Sequence, residues 1–254
     1  MDATYLILGL GAFFAGCVDA VVGGGGLIQI PLLFTTFPTQ GTATLFGTNK
    51  LASVVGTSSA AWRYARRIAV PWKVVAPAAL AAGAGSWIGA RAVAYFPPAA
   101  LRPVMLALLI AVALYTFVRK DFGVRPDASA SPSDPWRRAV FIGAGVGFYD
   151  GFFGPGTGSF LIFLFVRALN WDFLRASVAA KIVNMVTNVA AIGFFVSHGE
   201  VLWRVAAVMA LCNLCGAQLG SGLALRHGAP FVRRAFLLVA CVLIVRFALD
   251  TFRI

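Results

Sequence analysis

Four ionisable side chains stand out because their surroundings are apolar: Asp19, Lys50, Asp150 and Lys181. Each aspartate lies four residues before a glycine-rich run, Gly23–Gly26 in one case and Gly154–Gly158 in the other. Each run begins 27 residues before its lysine. A charge at bilayer depth costs at least about 2.5–3.5 kcal/mol on insertion scales, so each of the four needs a reason. The chemistry they suggest is the holding of a small anion. Glycine lets the backbone turn with positive φ and approach a ligand closely. Successive N–H groups in such a turn make an anion-binding nest, and a following half-helix adds its positive N-terminus.

The candidate lining follows from these runs. In the first half it comprises Gly23, Gly24, Gly25, Gly26 and Gln29, then Thr48, Asn49, Lys50, Ser53 and Thr57. In the second half it comprises Gly154, Gly156, Thr157, Gly158 and Ser159, then Lys181, Asn184 and Asn188. Helical spacing puts Asn184 and Asn188 on the lysine's face. The competing account is structural: amides and hydroxyls as interhelical glue, with the lysines paired to the aspartates. Asp19 and Asp150 cannot all be ligands of an anion, since carboxylates repel it. They support the lysines, cap the turns or carry a proton.

The elements that must position these groups are membrane helices. The chain has 254 residues, 60% apolar and 12% charged, with a mean hydropathy of +0.86. Soluble domains carry roughly 25% charged residues. Apolar runs cover 5–37, 45–62, 70–90, 101–118, 139–166, 176–196, 201–225 and 231–249. The expected class is an all-α integral membrane protein of about eight transmembrane segments, multi-pass in the lipid bilayer. The first and fifth runs exceed one span and contain the glycine runs, so each is expected to be a broken or re-entrant helix. The net charge of +12 belongs to loops on the cytoplasmic side rather than to nucleic-acid binding. Arg63, Arg66, Arg67 and Lys73 surround one such loop, and Arg119, Lys120, Arg125, Arg137 and Arg138 another.

The two halves align without a gap at an offset of 131 residues: Gly16 with Gly147, Asp19 with Asp150, Lys50 with Lys181, Trp72 with Trp203, Gly85 with Gly216 and Gly89 with Gly220. This predicts two repeats, 1–118 and 138–254, joined by a polar linker at 119–137. Internal repeats of this kind are the usual architecture of secondary transporters. The bias of basic residues among the loops reverses between the halves, which favours inverted repeats. Gly85-x-x-x-Gly89 and its counterpart at 216–220 are read as helix-packing motifs. Arg246, four residues before Asp250, reads as a local ion pair near the interface. The start, with Asp2 and no basic stretch, does not read as a cleavable leader.

Other chemistries are weaker. Cys212 and Cys215 form a C-x-x-C, but mid-helix thiols one turn apart lack the helix-start position of a redox pair. The two histidines, His198 and His227, lie near loops, so no histidine-based catalytic or metal constellation is expected. No cofactor is expected.

At these residues the sequence resembles the TauE/SafE family of membrane permeases, the sulfite exporter or toluene sulfonate uptake family. The resemblance is carried by GCVDAVVGGGGLIQIPLL (16–33), GTNKLAS (47–53), GFYDGFFGPGTGSF (147–160) and AAKIVNMVTN (179–188). It implies a non-enzymatic secondary transporter of small sulfur-containing anions, such as sulfite or organosulfonates. Transport would cross the inner membrane by alternating access at the repeat interface. It also implies that the glycine segments and the Asn–Lys helix line the pathway. The second half departs at Ala180 and Pro155, where the first has Asn49 and Gly24, so a lopsided site is expected. A passive anion channel would use the same constellation, and a homodimer is left open.

Overall fold

The computed structural model describes residues 3–93, 133–199 and 201–252. The expected segment 101–118, the linker up to residue 132 and the side chains of the Arg246–Asp250 pair lie outside this description. The described residues are helical: α1 (Ala3–Val22), α2 (Gly26–Thr36), α3 (Thr42–Ala65), α4 (Trp72–Ala92), α5 (Pro135–Phe152), α6 (Thr157–Leu169), α7 (Phe173–Ser197) and α8 (Trp203–Phe252). A kink at Gly228 (φ 75°, ψ −170°) divides α8. The bounds obey local rules. The Asp172 carboxylate accepts from the N–H groups of Leu174 and Arg175, both at 2.9 Å, and so caps α7. Asn170 ends α6 in the left-handed region.

Both glycine runs interrupt a helix. The chain leaves α1 at Gly23 (φ 83°) and α5 near Gly154 (φ 89°). It then re-enters as α2 and α6, of 11 and 13 residues. At about 1.5 Å per residue these are half-spans. Among the described residues, three helical stretches are long and apolar enough to cross a bilayer: Thr4–Val22, Phe173–Ser197 and Trp203–Leu238. Not all of the expected segments within the described residues meet that measure. The reason is visible in α3 and α4, which are long enough at 24 and 21 residues. α3 carries Thr48, Asn49, Lys50, Ser53 and Thr57, while α4 is dominated by alanine and glycine, so neither reads as strongly apolar.

α2, α3 and α4 begin at residues 26, 42 and 72; α6, α7 and α8 begin at 157, 173 and 203, each 131 positions later. The most extensive helix contacts are α4 with α5 and α1 with α8. Both interfaces are made by glycine. Gly216 and Gly220 press against the backbone of Phe13 and Cys17, and Gly85 and Gly89 against that of Ala144 and Phe148. Gly16 meets Asn213, and Gly147 meets Ala82. These contacts advance together along each pair, so the paired helices run in the same direction. A methyl group at any of these glycines would overlap neighbouring backbone. Gly220→Ala is therefore expected to destabilise the protein by about 1–3 kcal/mol, read as a lowered thermal unfolding midpoint in detergent. An unchanged midpoint would count against close packing of α1 on α8.

Candidate functional site

α1 and α2 form a hairpin, with Gly11 facing Leu32 and Gly25 packed on Asp19 and Ala15. Its glycine tip meets the tip between α5 and α6. Gly23 and Gly158 touch backbone to backbone, and the Ser159 N–H donates to the Gly23 carbonyl at 3.2 Å. The Ser159 hydroxyl donates to the Val22 carbonyl at 2.8 Å. Tyr149 braces the second tip by donating to the Pro155 carbonyl at 2.6 Å.

Two ion pairs, one buried and one partly buried, flank this junction, and both cross between the halves. Lys50 Nζ lies 2.5 Å from Asp150 Oδ2, with both side chains almost fully buried. Lys181 Nζ lies 3.2 Å from Asp19 Oδ2 and also donates to the Asp19 carbonyl. The pairs differ in support. Asp19 additionally accepts from the Gly25 N–H at 3.3 Å and from the Thr57 hydroxyl at 3.2 Å. Lys50 is the single partner that the hydrogen bonds and ion pairs of the described residues give Asp150.

Thr57 thus meets Lys181 across Asp19, while Lys50, two turns earlier on α3, shares a wall with Asn184 and Asn188, later on α7. α3 and α7 therefore run in opposite directions.

A small cavity lies at the junction. Asp19, Gly23, Gly26, Asn49, Lys50 and Ser53 line it from one half. Asp150, Gly154, Gly156, Thr157, Gly158, Asn184 and Asn188 line it from the other. Its free volume is about 20 Å³, room for about one water molecule. Gly26 and Gly158 sit in the first turns of α2 and α6, where N–H groups lack partners within the helix. Two half-helix N-termini therefore face one small space, each equivalent to roughly half a positive charge. The Asn49 side-chain oxygen is buried there without a hydrogen-bond partner.

Other expected lining residues stand behind the wall. The Thr48 hydroxyl donates to the Thr44 carbonyl at 2.7 Å and accepts from the Leu202 N–H at 2.9 Å. Gln29, fully buried, accepts from Ser53 at 3.1 Å. Thr57 and Gly25 hold Asp19. Ser159 ties the two tips together, and Gly24 is absent from the wall. Lys181, with no exposed surface, turns from the face of Asn184 and Asn188 toward Asp19. Asn188 donates to Asn184 Oδ1 at 3.5 Å, so this amide pair remains at the cavity.

Two tyrosines were not among the expected residues: partly buried Tyr149, and fully buried Tyr64, whose hydroxyl donates to the Ala20 carbonyl at 2.9 Å. The signal was available, because a tyrosine in an apolar span requires a partner for its hydroxyl. Cys212 and Cys215 are free thiols in mid-helix, Cys215 on the exposed side.

The family model for the sulfite exporter TauE/SafE matches residues 8–247. The chain is 38% identical over 244 residues to the "Probable membrane transporter protein ORF9" of a Sinorhizobium species, covering 94% of this chain and 90% of that one. It is 32% identical over 240 residues to the "Probable membrane transporter protein YfcA" of Escherichia coli K12, covering 94% and 88%. A "Probable membrane transporter protein" of Haemophilus influenzae is 31% identical over 245 residues, covering 94% and 92%. No solved structure matches significantly. The chain belongs to the TauE/SafE family and is a helical membrane protein.

Proposed function

We propose that this chain, as a TauE/SafE protein, is a secondary carrier of small sulfur oxyanions, sulfite or organosulfonates, across the inner membrane. The cavity where two half-helix N-termini meet carries this reading. A sulfite or sulfonate head presents several acceptor oxygens and at least one negative charge. The N–H groups at Gly26 and Gly158, the Thr157 and Ser53 hydroxyls and the Asn184 and Asn188 amides are suited to replace its hydration shell. Lys50 is the lysine at the wall.

Charge balance constrains the mechanism. Two lysines are already matched by two aspartates. An arriving anion must draw Lys50 away from Asp150, or arrive with a proton that Asp150 accepts. The cavity holds about one water, so the two tips must part to admit the head group. Alternating access by inverted repeats fits this need. Three observations support it: helix starts 131 residues apart, the exchange of α1 and α4 packing between halves, and the opposed directions of α3 and α7.

A thermal-shift screen of purified protein against sulfite, thiosulfate, sulfoacetate, taurine and simple carboxylates tests the reading. The expected result is stabilisation by the sulfur oxyanions, lost in Lys50→Ala. Equal binding by Lys50→Ala and the parent would remove the central site. Saturable, countertransport-stimulated flux in proteoliposomes separates a carrier from a channel.

A further inference from the structure

At the far end of α3 lies a second and larger cavity, of about 660 Å³, lined by Trp62, Arg63, Arg66, Arg67, Gly222, Leu225 and Arg226. Four guanidinium groups converge there from α3, its C-terminal turn and α8. Like charges gathered this closely repel unless something offsets them. Among the described residues, no ion pair joins any of these arginines to a carboxylate.

The cavity is built rather than incidental. Arg63 is half-buried, and its Nη1 donates to both the main-chain carbonyl and the side-chain oxygen of Gln218, at 2.6 and 2.5 Å. Those bonds fix the plane of the fork and leave its other edge available. Gly222 leaves space for that fork, since a methyl group there would sit 3.4 Å from Arg63 Nη2. The Arg66 guanidinium lies over the Trp62 ring, 4.7 Å from its centroid, held at one wall. Gly228 then breaks α8 two residues beyond Arg226.

We infer that this cavity binds a phosphate group, held by half-buried Arg63 from α3 and by the exposed Arg66, Arg67 and Arg226. Planar, paired donors suit bidentate phosphate recognition, for which arginine is the preferred residue. Exposed Trp62 and Trp72 bracket the same loop, as aromatic side chains do at the membrane–water boundary. A basic pocket at that level takes a phosphate either from an anionic phospholipid or from a soluble compound. None of these residues lines the cavity between the glycine tips.

The test uses full-length protein in neutral detergent. Phosphatidylglycerol and cardiolipin are compared with phosphatidylcholine, and inorganic phosphate and pyrophosphate form a separate arm. Binding is read by native mass spectrometry and by unfolding midpoint. The variant is Arg66→Gln/Arg67→Gln/Arg226→Gln, which alters exposed side chains and leaves Arg63 in place. An equal charge loss elsewhere, Arg137→Gln/Arg204→Gln/Arg234→Gln, is the control. Binding of anionic lipid that weakens about 100-fold in the variant and not in the control assigns a lipid phosphate. The same pattern with phosphate or pyrophosphate assigns a soluble one. Equal weakening in variant and control, or no binding in either arm, overturns the inference.

Discussion

Lys50→Met is expected to destabilise the protein by about 3–5 kcal/mol, because it leaves a buried carboxylate without its counter-charge. Asp150 is 2% exposed and has Lys50 at 2.5 Å. The double variant Lys50→Met/Asp150→Leu should regain most of that loss, since apolar side chains of similar volume often replace a buried ion pair without penalty. It should not regain transport if Lys50 is the lysine that meets the substrate. The corresponding change at the other pair, Lys181→Met/Asp19→Leu, should recover less. Removing Asp19 also strands the Gly25 N–H and the Thr57 hydroxyl, and removing Lys181 takes a donor from the Asp19 carbonyl. Unfolding in detergent gives the stabilities, and proteoliposome flux gives the activity. A stable, fully transporting Lys50→Met would refute both the pairing energy and the role.

Gly23→Ala is expected to abolish transport and to lower stability by several kcal/mol. Two costs combine. Gly23 has φ 83°, a conformation that costs roughly 1–2 kcal/mol for a residue with a Cβ. The added methyl would also overlap the backbone of Gly158 and Ser159, and overpacking adds about 1–3 kcal/mol. Gly158→Ala should fail similarly, because its methyl would strike Gly23. Gly26→Ala is the contrast. Its methyl would meet Pro155 at 3.5 Å and nothing nearer, so the fold should survive. If Gly23→Ala folds and transports like Gly26→Ala, the tip-to-tip contact does not matter.

Much of this was legible in the sequence, for a physical reason. A charge or a glycine cluster inside an apolar run is costly, so its position carries information. That logic located the helix breaks, the two acids, the two lysines and the Asn184–Asn188 face. It identified Gly85, Gly89, Gly216 and Gly220 as packing residues. It could not reveal what they pack against, since α1 meets α8 and α4 meets α5 from opposite halves. Spacing likewise does not say which lysine takes which acid, and the structure pairs them crosswise. Lys181 lies on a face with Asn184 and Asn188, yet its long stem carries the ammonium to Asp19, and Asp19 rather than Lys181 lines the cavity. The polarity of α3 is legible as composition, but only packing explains why a helix this polar is buried: its hydroxyls meet Gln29 on α2, Asp19 on α1 and the Leu202 N–H just before α8.

The crosswise pairing also sets a schedule for biosynthesis. Asp19 is made 162 residues before Lys181, which is roughly 8–32 s at about 5–20 residues per second. Until then its carboxylate has no ammonium, and α1 has no α8 to lie against. A nascent chain arrested before Lys181 therefore carries an unanswered acid in its first helix. Such a chain should be a preferred target for membrane proteases, while the finished one is not. Co-expressed fragments split within 119–132 should protect one another from degradation, because each holds the counter-charge the other lacks.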